Sequence, residues 1–305
     1  MPEPTSTAPA KNRGALLGAM FLMATSAIGP GFITQTTTFT ARLGAAFAFA
    51  ILVSIVVDIA IQQNVWRVLG VSGLRANELG NKAFTGVGWA LAVLVVIGGM
   101  VFHIGNIAGT GLGLQAALGG LDPRIGASVS AVIAIIIFTL KKAGPIVDRV
   151  VVVLGLVMIG MTTWVAITTR PPLADVAVNT VMPSQVDFLT ITTLIGGTVG
   201  GYITYAGAHR LIDSGTIGPE NATQIGRSSI TGILVTAVMR TVLFLAVFGV
   251  VATGVTLDPA NPAASAFQYA LGQVGLVVFG VIFWAAAITS VIGASYTSVS
   301  FITTQ

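Results

Sequence analysis

Ile28-Gly29-Pro30-Gly31-Phe32 and Gly196-Gly197-Thr198-Val199-Gly200-Gly201-Tyr202 interrupt two of the most hydrophobic segments of the chain at about the same relative place. A helix broken in mid-bilayer leaves N–H and C=O groups that lipid cannot satisfy. Such breaks persist only where protein or a polar cavity supplies the partners. In secondary transporters that cavity is commonly the substrate site, and the paired breaks point to one here.

The rest of the composition fits a bilayer. Hydrophobic residues make up 54% of the 305 residues and charged residues 8%, with a mean hydropathy of +0.93. Those values lie outside the range of soluble domains. The 37 glycines suit close helix packing through small residues. There is no cysteine, which excludes disulfides, thiolate metal sites and thiol nucleophiles together. The pI near 9.8 does not signal nucleic acid, because the basic residues lie between apolar spans and follow membrane orientation instead. No nucleophile–base pair or sizeable soluble domain is present, so an enzyme is not expected, nor is a cofactor.

At about 20 apolar residues per span, helices are expected near residues 15–40, 44–69, 86–118, 125–140, 146–168, 190–212, 227–254 and 273–303. Residues 1–14, rich in Pro, Ser, Thr and Ala, read as a disordered tail. The first span is too long for a signal-peptide core. Lys11, Arg13, Arg67, Arg75, Lys82, Lys141, Lys142, Arg149, Arg210 and Arg227 fall on one side of this topology, and Arg42, Arg124 and Arg170 on the other. The rich side is cytoplasmic by the positive-inside rule, which places the N-terminus inside.

Five spans then separate the start of the first helix from the start of the sixth, so an odd-numbered unit repeats inverted. The expected fold is an all-α polytopic membrane domain over 15–305 with discontinuous first and sixth helices. Its first repeat covers 15–168 and a partial second repeat covers 190–303. The chain stops at Ser300-Phe301-Ile302-Thr303-Thr304-Gln305, still within an apolar span. The expectation is a C-terminally incomplete fold lacking its last two or three helices.

These residues resemble the natural resistance-associated macrophage protein (NRAMP) family, proton-coupled divalent metal transporters with the leucine-transporter fold. The family's first helix carries Gly-Pro-x-Phe and then Asp-Pro-Gly-Asn. Here Gly18-Ala19-Met20-Phe21 leads to Gly29-Pro30-Gly31-Phe32, so Pro30 and Gly31 match while Gly29 and Phe32 replace the ligating Asp and Asn. The family's Gly-Ala-Thr-Val-Met-Pro-His is similar to Gly196-Gly197-Thr198-Val199-Gly200-Gly201-Tyr202. Gly197 keeps the ligating carbonyl and Gly200 replaces the ligating Met. In the third helix, His103 and Asn106 stand at the spacing of a carboxylate pair associated with the proton route, followed by Gly109. Ala287-Ile288-Thr289-Ser290-Val291-Ile292-Gly293-Ala294 resembles the family's small, hydroxyl-rich eighth helix. The resemblance implies an integral protein of a bacterial plasma membrane whose partners are the lipid bilayer and a small transported ion or solute moved with protons.

The substitutions change the chemistry. A divalent cation must exchange hydration oxygens for protein ligands, with anionic ligands supplying much of the compensation. Gly29, Phe32 and Gly200 offer none. The backbone carbonyls of Ile28, Gly29 and Gly197 remain for a metal, with the hydroxyls of Thr25, Ser26, Thr34 and Thr198 and the amide of Gln35. Glycine at a half-helix start also presents N–H groups at the positive end of a helix dipole, which favours an anion. A small organic acid or amino-acid-like solute is therefore the alternative cargo.

Asp58, His103 and Arg240 lie within expected spans, where an ionisable group is a functional candidate by default. His103 is a candidate for proton coupling because imidazole titrates near neutral pH, against a neutral histidine bonded in a helix interface. Asp58 and Arg240 are further candidates, against a structural ion pair. Asn106 either joins the proton route or bridges helices.

Overall fold

The computed structural model describes residues 10–139, 144–259 and 261–303. Residues 1–9 of the expected tail, together with Lys141 and Lys142, lie outside the described residues. Ala10 to Gly14, read as tail from sequence, are helical instead. They are continuous with the first apolar span, and Ala and Lys are good helix formers.

Every described element is a helix or a single 3-10 turn. In chain order these are α1 (Ala10–Ala27), α2 (Pro30–Leu43), α3 (Phe47–Ser72), α4 (Ala76–Ala83), α5 (Val87–Leu118) and α6 (Pro123–Thr139). They are followed by α7 (Gly144–Thr169), α8 (Leu173–Val181), α9 (Phe188–Val199), α10 (Ile203–Asp213), α11 (Ala222–Val251) and α12 (Pro262–Ile302). The eight expected spans correspond to α1 with α2, α3, α5, α6, α7, α9 with α10, α11 and α12. The short helices α4 and α8 were not anticipated. Four stretches, Pro30–Ser72, Val87–Leu118, Pro219–Val251 and Pro262–Ile302, are long and apolar enough to cross a bilayer by length and composition alone. Inside α12, Gly272 leaves helical geometry with φ 61°, one residue before the span expected from sequence.

Polar and apolar residues are distributed inside out relative to a soluble protein. One face of α5 exposes Trp89, Val93, Ile97, Met100 and Ile104 at helical spacing, while Thr25, Ser26, Asp58, Gln62, Asn106, Thr198 and Arg240 are buried. Exposed apolar surface around a polar interior is what a lipid solvent selects. The packed interior includes Ile28, Phe32, Met239, Leu243, Phe279 and Phe283 in one cluster, and Met23, Trp66, Tyr202, Ile203 and Phe301 in another.

The most extensive helix pair is α5 with α12. It rests on close backbone approach, because a β-carbon at Gly113 would lie 2.6 Å from the Trp284 nitrogen and 2.9 Å from the Gly280 carbonyl oxygen. A β-carbon at Gly280 would meet the backbone of Ala117 and Gly113. Trp284 then donates from Nε1 to the Ser130 hydroxyl at 3.0 Å, fastening α6 to the same pair.

Ionic contacts tie the two ends of the bundle. At one end Arg42 of α2 pairs with Asp187 and donates to the Thr190 hydroxyl. Asp187 caps α9 by accepting the Thr190 N–H at 3.0 Å. At the other end Arg75 donates to Asp213 at 2.8 Å and to the carbonyls of Ser300 and Thr303 at 3.0 and 2.6 Å. This joins the start of α4 to the ends of α10 and α12. His209 lies in the same network, its Nε2 accepting the Ala76 N–H at 3.2 Å and its Nδ1 meeting the Ser300 hydroxyl at 2.7 Å.

Gly113→Val should lower stability by about 1–3 kcal/mol or more through overpacking, read as a lower thermal midpoint in detergent. Gly98→Ala, where a β-carbon meets nothing within 4 Å, should be neutral or stabilising by up to ~1 kcal/mol. The Thr190 N–H holds the Asp187 carboxyl below its ordinary range, with the Arg42 guanidinium adding to the effect. A depressed carboxylate stabilises the fold above its unfolded value near ~4 and loses that contribution as pH falls. The thermal midpoint of Asp187→Asn should therefore depend less on pH below about 4 than that of the parent protein.

Candidate substrate site at the two helix breaks

The first break is two residues long. The Ile28 N–H still reaches the Ala24 carbonyl at 3.0 Å and the Gly29 N–H turns to Ala27 at 2.9 Å. Pro30 has no N–H to continue the ladder and opens α2 at its first position. Gly29 is extended at the N-cap, and no side chain caps the first turn. The N–H groups of Gly31 and Phe32 are therefore left at the positive end of a half-helix. Gly31 is exposed, and a β-carbon there would meet nothing within 4 Å.

The second break, Gly200-Gly201-Tyr202, lies between α9 and α10. Gly201 has φ 57°, a left-handed conformation that explains glycine at this position. Gly200 is extended, and a β-carbon on it would run into the Gly196 backbone, 2.9 Å from its carbonyl carbon. A methionine side chain at this position is incompatible with the backbone as it stands. Gly196 and Gly201 are both exposed, with no atom within 4 Å of a β-carbon on either.

The two breaks face each other through polar contacts. Tyr202 donates to the Ser26 carbonyl at 3.3 Å, and Ser290 of α12 shares its hydroxyl between the carbonyls of Thr25 and Ser26 at 3.1 and 3.2 Å. These donors satisfy the carbonyls that α1 leaves open where it stops. Asn106 of α5 neighbours the Tyr202 hydroxyl. Its side-chain oxygen lies 3.1 Å from where a Gly29 β-carbon would be, and its Nδ2 has no hydrogen-bond partner. Beside Gly197, Gln35 of α2 carries a buried side-chain oxygen without a partner. Carbonyls, hydroxyls and amides thus gather where the two breaks meet. Among the described residues no group of three or more His, Asp or Glu is arranged to hold a metal.

Arg240 of α11 touches both broken helices. Its guanidinium lies 4.2 Å from the centroid of the Phe32 ring, and its Nη2 donates to the Thr198 hydroxyl in the last turn of α9 at 3.2 Å. It is 3% exposed, and its Nη1 has no partner. Asp58 of α3 is coupled electrostatically to Arg240 and neighbours Thr198. The two charges form no direct ion pair within 4.0 Å. Among the described residues such pairs are Arg42–Asp187 and Arg75–Asp213.

Of the residues expected from sequence, Ile28, Gly29, Pro30, Gly31, Phe32, Gly196, Gly197, Thr198, Gly200, Gly201 and Tyr202 lie at the two breaks. Asn106, Arg240 and Asp58 border them. His103 does not join them: its Nε2 faces the Ser295 hydroxyl of α12 at 3.4 Å. It lines a groove of about 380 Å³ with Ile107, Ala134 and Val291. Ser290 and the contact of Arg240 with Phe32 were not anticipated. The sequence signal for Ser290 was its place in the small, hydroxyl-rich stretch from Ala287 to Ala294.

The sequence profile of the family described as "Natural resistance-associated macrophage protein-like" matches residues 20–304. The chain belongs to that family. An uncharacterized membrane protein of Bacillus subtilis, YcsG, is 57% identical over 289 residues, covering 95% of this chain and 71% of the relative. An uncharacterized membrane protein of Haemophilus influenzae is 53% identical over 292 residues, covering 96% and 73%. Among solved structures, a mutant of the Eremococcus coleocola manganese transporter superposes with a TM-score of 0.74 at 16% identity, covering 99% of this chain and 67% of that one. The same transporter in complex with an aromatic bis-isothiourea substituted compound gives 0.71 at 15% identity, with the same coverage. At that identity the likeness establishes the fold. This NRAMP-family chain is an integral membrane protein with the discontinuous-helix architecture of such transporters.

A carboxylate cannot simply be restored at the first break. A β-carbon at Gly29 would lie 2.7 Å from Ser290 Oγ, so Gly29→Asp should cost about 1–3 kcal/mol. Adding Ser290→Ala should recover part of that loss, measured by thermal denaturation in detergent.

Proposed function

We propose that this chain is a secondary active transporter whose substrate occupies the space between the two helix breaks. Its N-terminus and the Arg75–Asp213 end would face the cytoplasm of a bacterial plasma membrane. The observation that carries this reading is the meeting of two broken helices, α1–α2 and α9–α10, through the contacts of Tyr202 and Ser290 with the carbonyls of Thr25 and Ser26. The spans before α8 would form one repeat, about 15–168, and α9 to α12 part of a second, about 190–303.

Family membership supports a divalent metal ion as cargo, coupled to protons, and the solved neighbours are manganese transporters by name. The ligands this chain would offer are carbonyls at Ile28, Gly29 and Gly197, the Ser290, Thr198 and Tyr202 hydroxyls, and the Asn106 and Gln35 amides. That is a neutral oxygen set for a partly hydrated cation. His103, Asn106, Asp58 and Arg240 are the groups available for coupling.

A specific observation favours a second cargo, a small organic acid. Arg240 puts a buried guanidinium against Phe32, the position at which the resemblance expects an asparagine ligand. A fixed positive charge at the centre of the site repels a dication and attracts a carboxylate.

Proteoliposome uptake separates the two. The metal reading expects saturable manganese uptake accelerated by an inward proton gradient. Manganese flux no faster than in empty liposomes, with saturable uptake of a monocarboxylate, overturns it. The variant Gly29→Asp with Phe32→Asn, made together with Ser290→Ala to clear room for the carboxylate, should gain manganese binding by at least about tenfold if the parent site lacks anionic ligands.

A further inference from the structure

We propose that Arg240 is the residue that binds the carboxylate group of the substrate, and that Asp58 is the group that takes up the accompanying proton. The inference rests on the organic-acid reading and names the residues and coupling of that site.

Three observations converge on Arg240. It is buried with one nitrogen, Nη1, left without an acceptor, in a chain whose buried polar atoms are mostly partnered. A buried guanidinium with a free donor is a standing demand for an anion. The ring on which it lies belongs to Phe32, whose own N–H, with that of Gly31, opens α2 uncapped by any side chain. The guanidinium therefore packs on a side chain of the uncapped first turn of α2, whose dipole also favours an anion. Finally, Thr198 fixes the other nitrogen from the far side at 3.2 Å, so the guanidinium is held between the two breaks and not swung toward lipid.

Asp58 supplies the complementary half. It is 2% exposed, and its Oδ1 also lacks a partner. The charge facing it from the helices packed on α3 is Arg240 of α11, and α9 contributes the Thr198 hydroxyl. The other charged or titratable groups on those helices are placed elsewhere. Arg42 of α2 pairs with Asp187, Glu78 of α4 accepts the Arg75 N–H, and Asp213 of α10 holds Arg75. His209 of α10 meets Ala76 and Ser300, Arg210 lies beside Tyr296, and Asp175, Lys82, Glu220 and Arg227 are exposed.

One cation therefore stands between two anions when a substrate carboxylate is bound. Without substrate, the charge of Arg240 is balanced by Asp58. A carboxylate arriving at Nη1 takes over that balance and leaves Asp58 as an uncompensated buried anion, which is the costlier state. Asp58 then accepts a proton from the aqueous side at Oδ1 and becomes a neutral acid. The sum is a single carboxylate and a single proton entering together, with no net charge moved. When the carboxylate departs on the other side, Asp58 returns its proton and recovers its partner.

The test uses the protein reconstituted in liposomes that enclose a pH-sensitive dye. The probes are radiolabelled short-chain, hydroxy, keto and cyclic monocarboxylates, neutral amino acids and manganese. Expected is uptake of a monocarboxylate with an equal number of protons, collapsed by a protonophore and insensitive to membrane potential. Arg240→Lys should weaken the apparent affinity by about tenfold or more, since an ammonium cannot reproduce the fork. In Asp58→Asn, uptake should no longer accelerate with an inward proton gradient.

Carboxylate uptake without proton movement, or uptake of the same affinity in Arg240→Lys, overturns this assignment and leaves the organic-acid reading standing. Preference for a neutral amino acid over the matching monocarboxylate also overturns it, because Asp58 would then pair with the ammonium. Manganese uptake without carboxylate uptake removes the organic-acid reading itself. If the variants do not fold, the dye measurement on the unmodified protein decides through the proton count alone.

Discussion

The structure depends on satisfying a backbone that stops being helical inside the bilayer. At the first break that task falls to a hydroxyl from a different helix, Ser290 of α12, which serves the carbonyls of Thr25 and Ser26, and to the Tyr202 hydroxyl from the second break. Lipid has nothing comparable to offer. Because the donors of the first break come from the second break and from α12, α1 cannot stop where it does unless the other helices are already in place. Local sequence and long-range packing are locked together at Gly29, and the proximity of the two breaks follows from that.

Hydrogen-bond donors that cap the α1 carbonyls also change what the site can hold. A bare carbonyl is a cation ligand; one that already accepts a hydroxyl proton is less available until the hydroxyl rotates. The first turn of α2 presents N–H groups that no side chain caps, and Arg240 packs on the ring of Phe32 in that turn. Relative to a site with carboxylate and thioether ligands, Gly29, Phe32 and Gly200 carry no ligating side chain while the fold is kept. The chain thus retains the fold of manganese transporters at TM-score 0.74 with few of the side chains a soft dication uses.

Much of this was readable in the residue string. Proline and glycine punctuate helices by mechanism, so the breaks at Gly29-Pro30 and Gly200-Gly201 were visible without coordinates, as were the eight span-like segments. Two helices escaped notice. Ala76–Ala83 reads as a polar linker, since Asn, Glu and Lys interrupt it, and Leu173–Val181 follows Pro171-Pro172 and is too short for a span. The lateral contacts were also illegible. Sequence offered Asp58 and Arg240 as coupling candidates or as a structural ion pair, but the rotational phase of α11 decides that Arg240 lies on Phe32 with Thr198 beside it. That phase is set by packing against several helices at once. His103 was attractive for its chemistry, yet it lies about 4.5 Å along the α5 axis from Asn106 and meets Ser295, while Asn106 reaches the break.

Where α5 crosses α12, backbone meets backbone at Gly113 and Gly280 with no side-chain layer between them. Helices that slide past one another in shear motions do so on interdigitated side chains, which can change rotamer. This pair has none at its crossing, which opposes such sliding. Displacement between the remaining elements would then fall on non-helical residues such as those of the two broken helices. The same glycines that create the binding space would then also be the bearings on which access to it alternates.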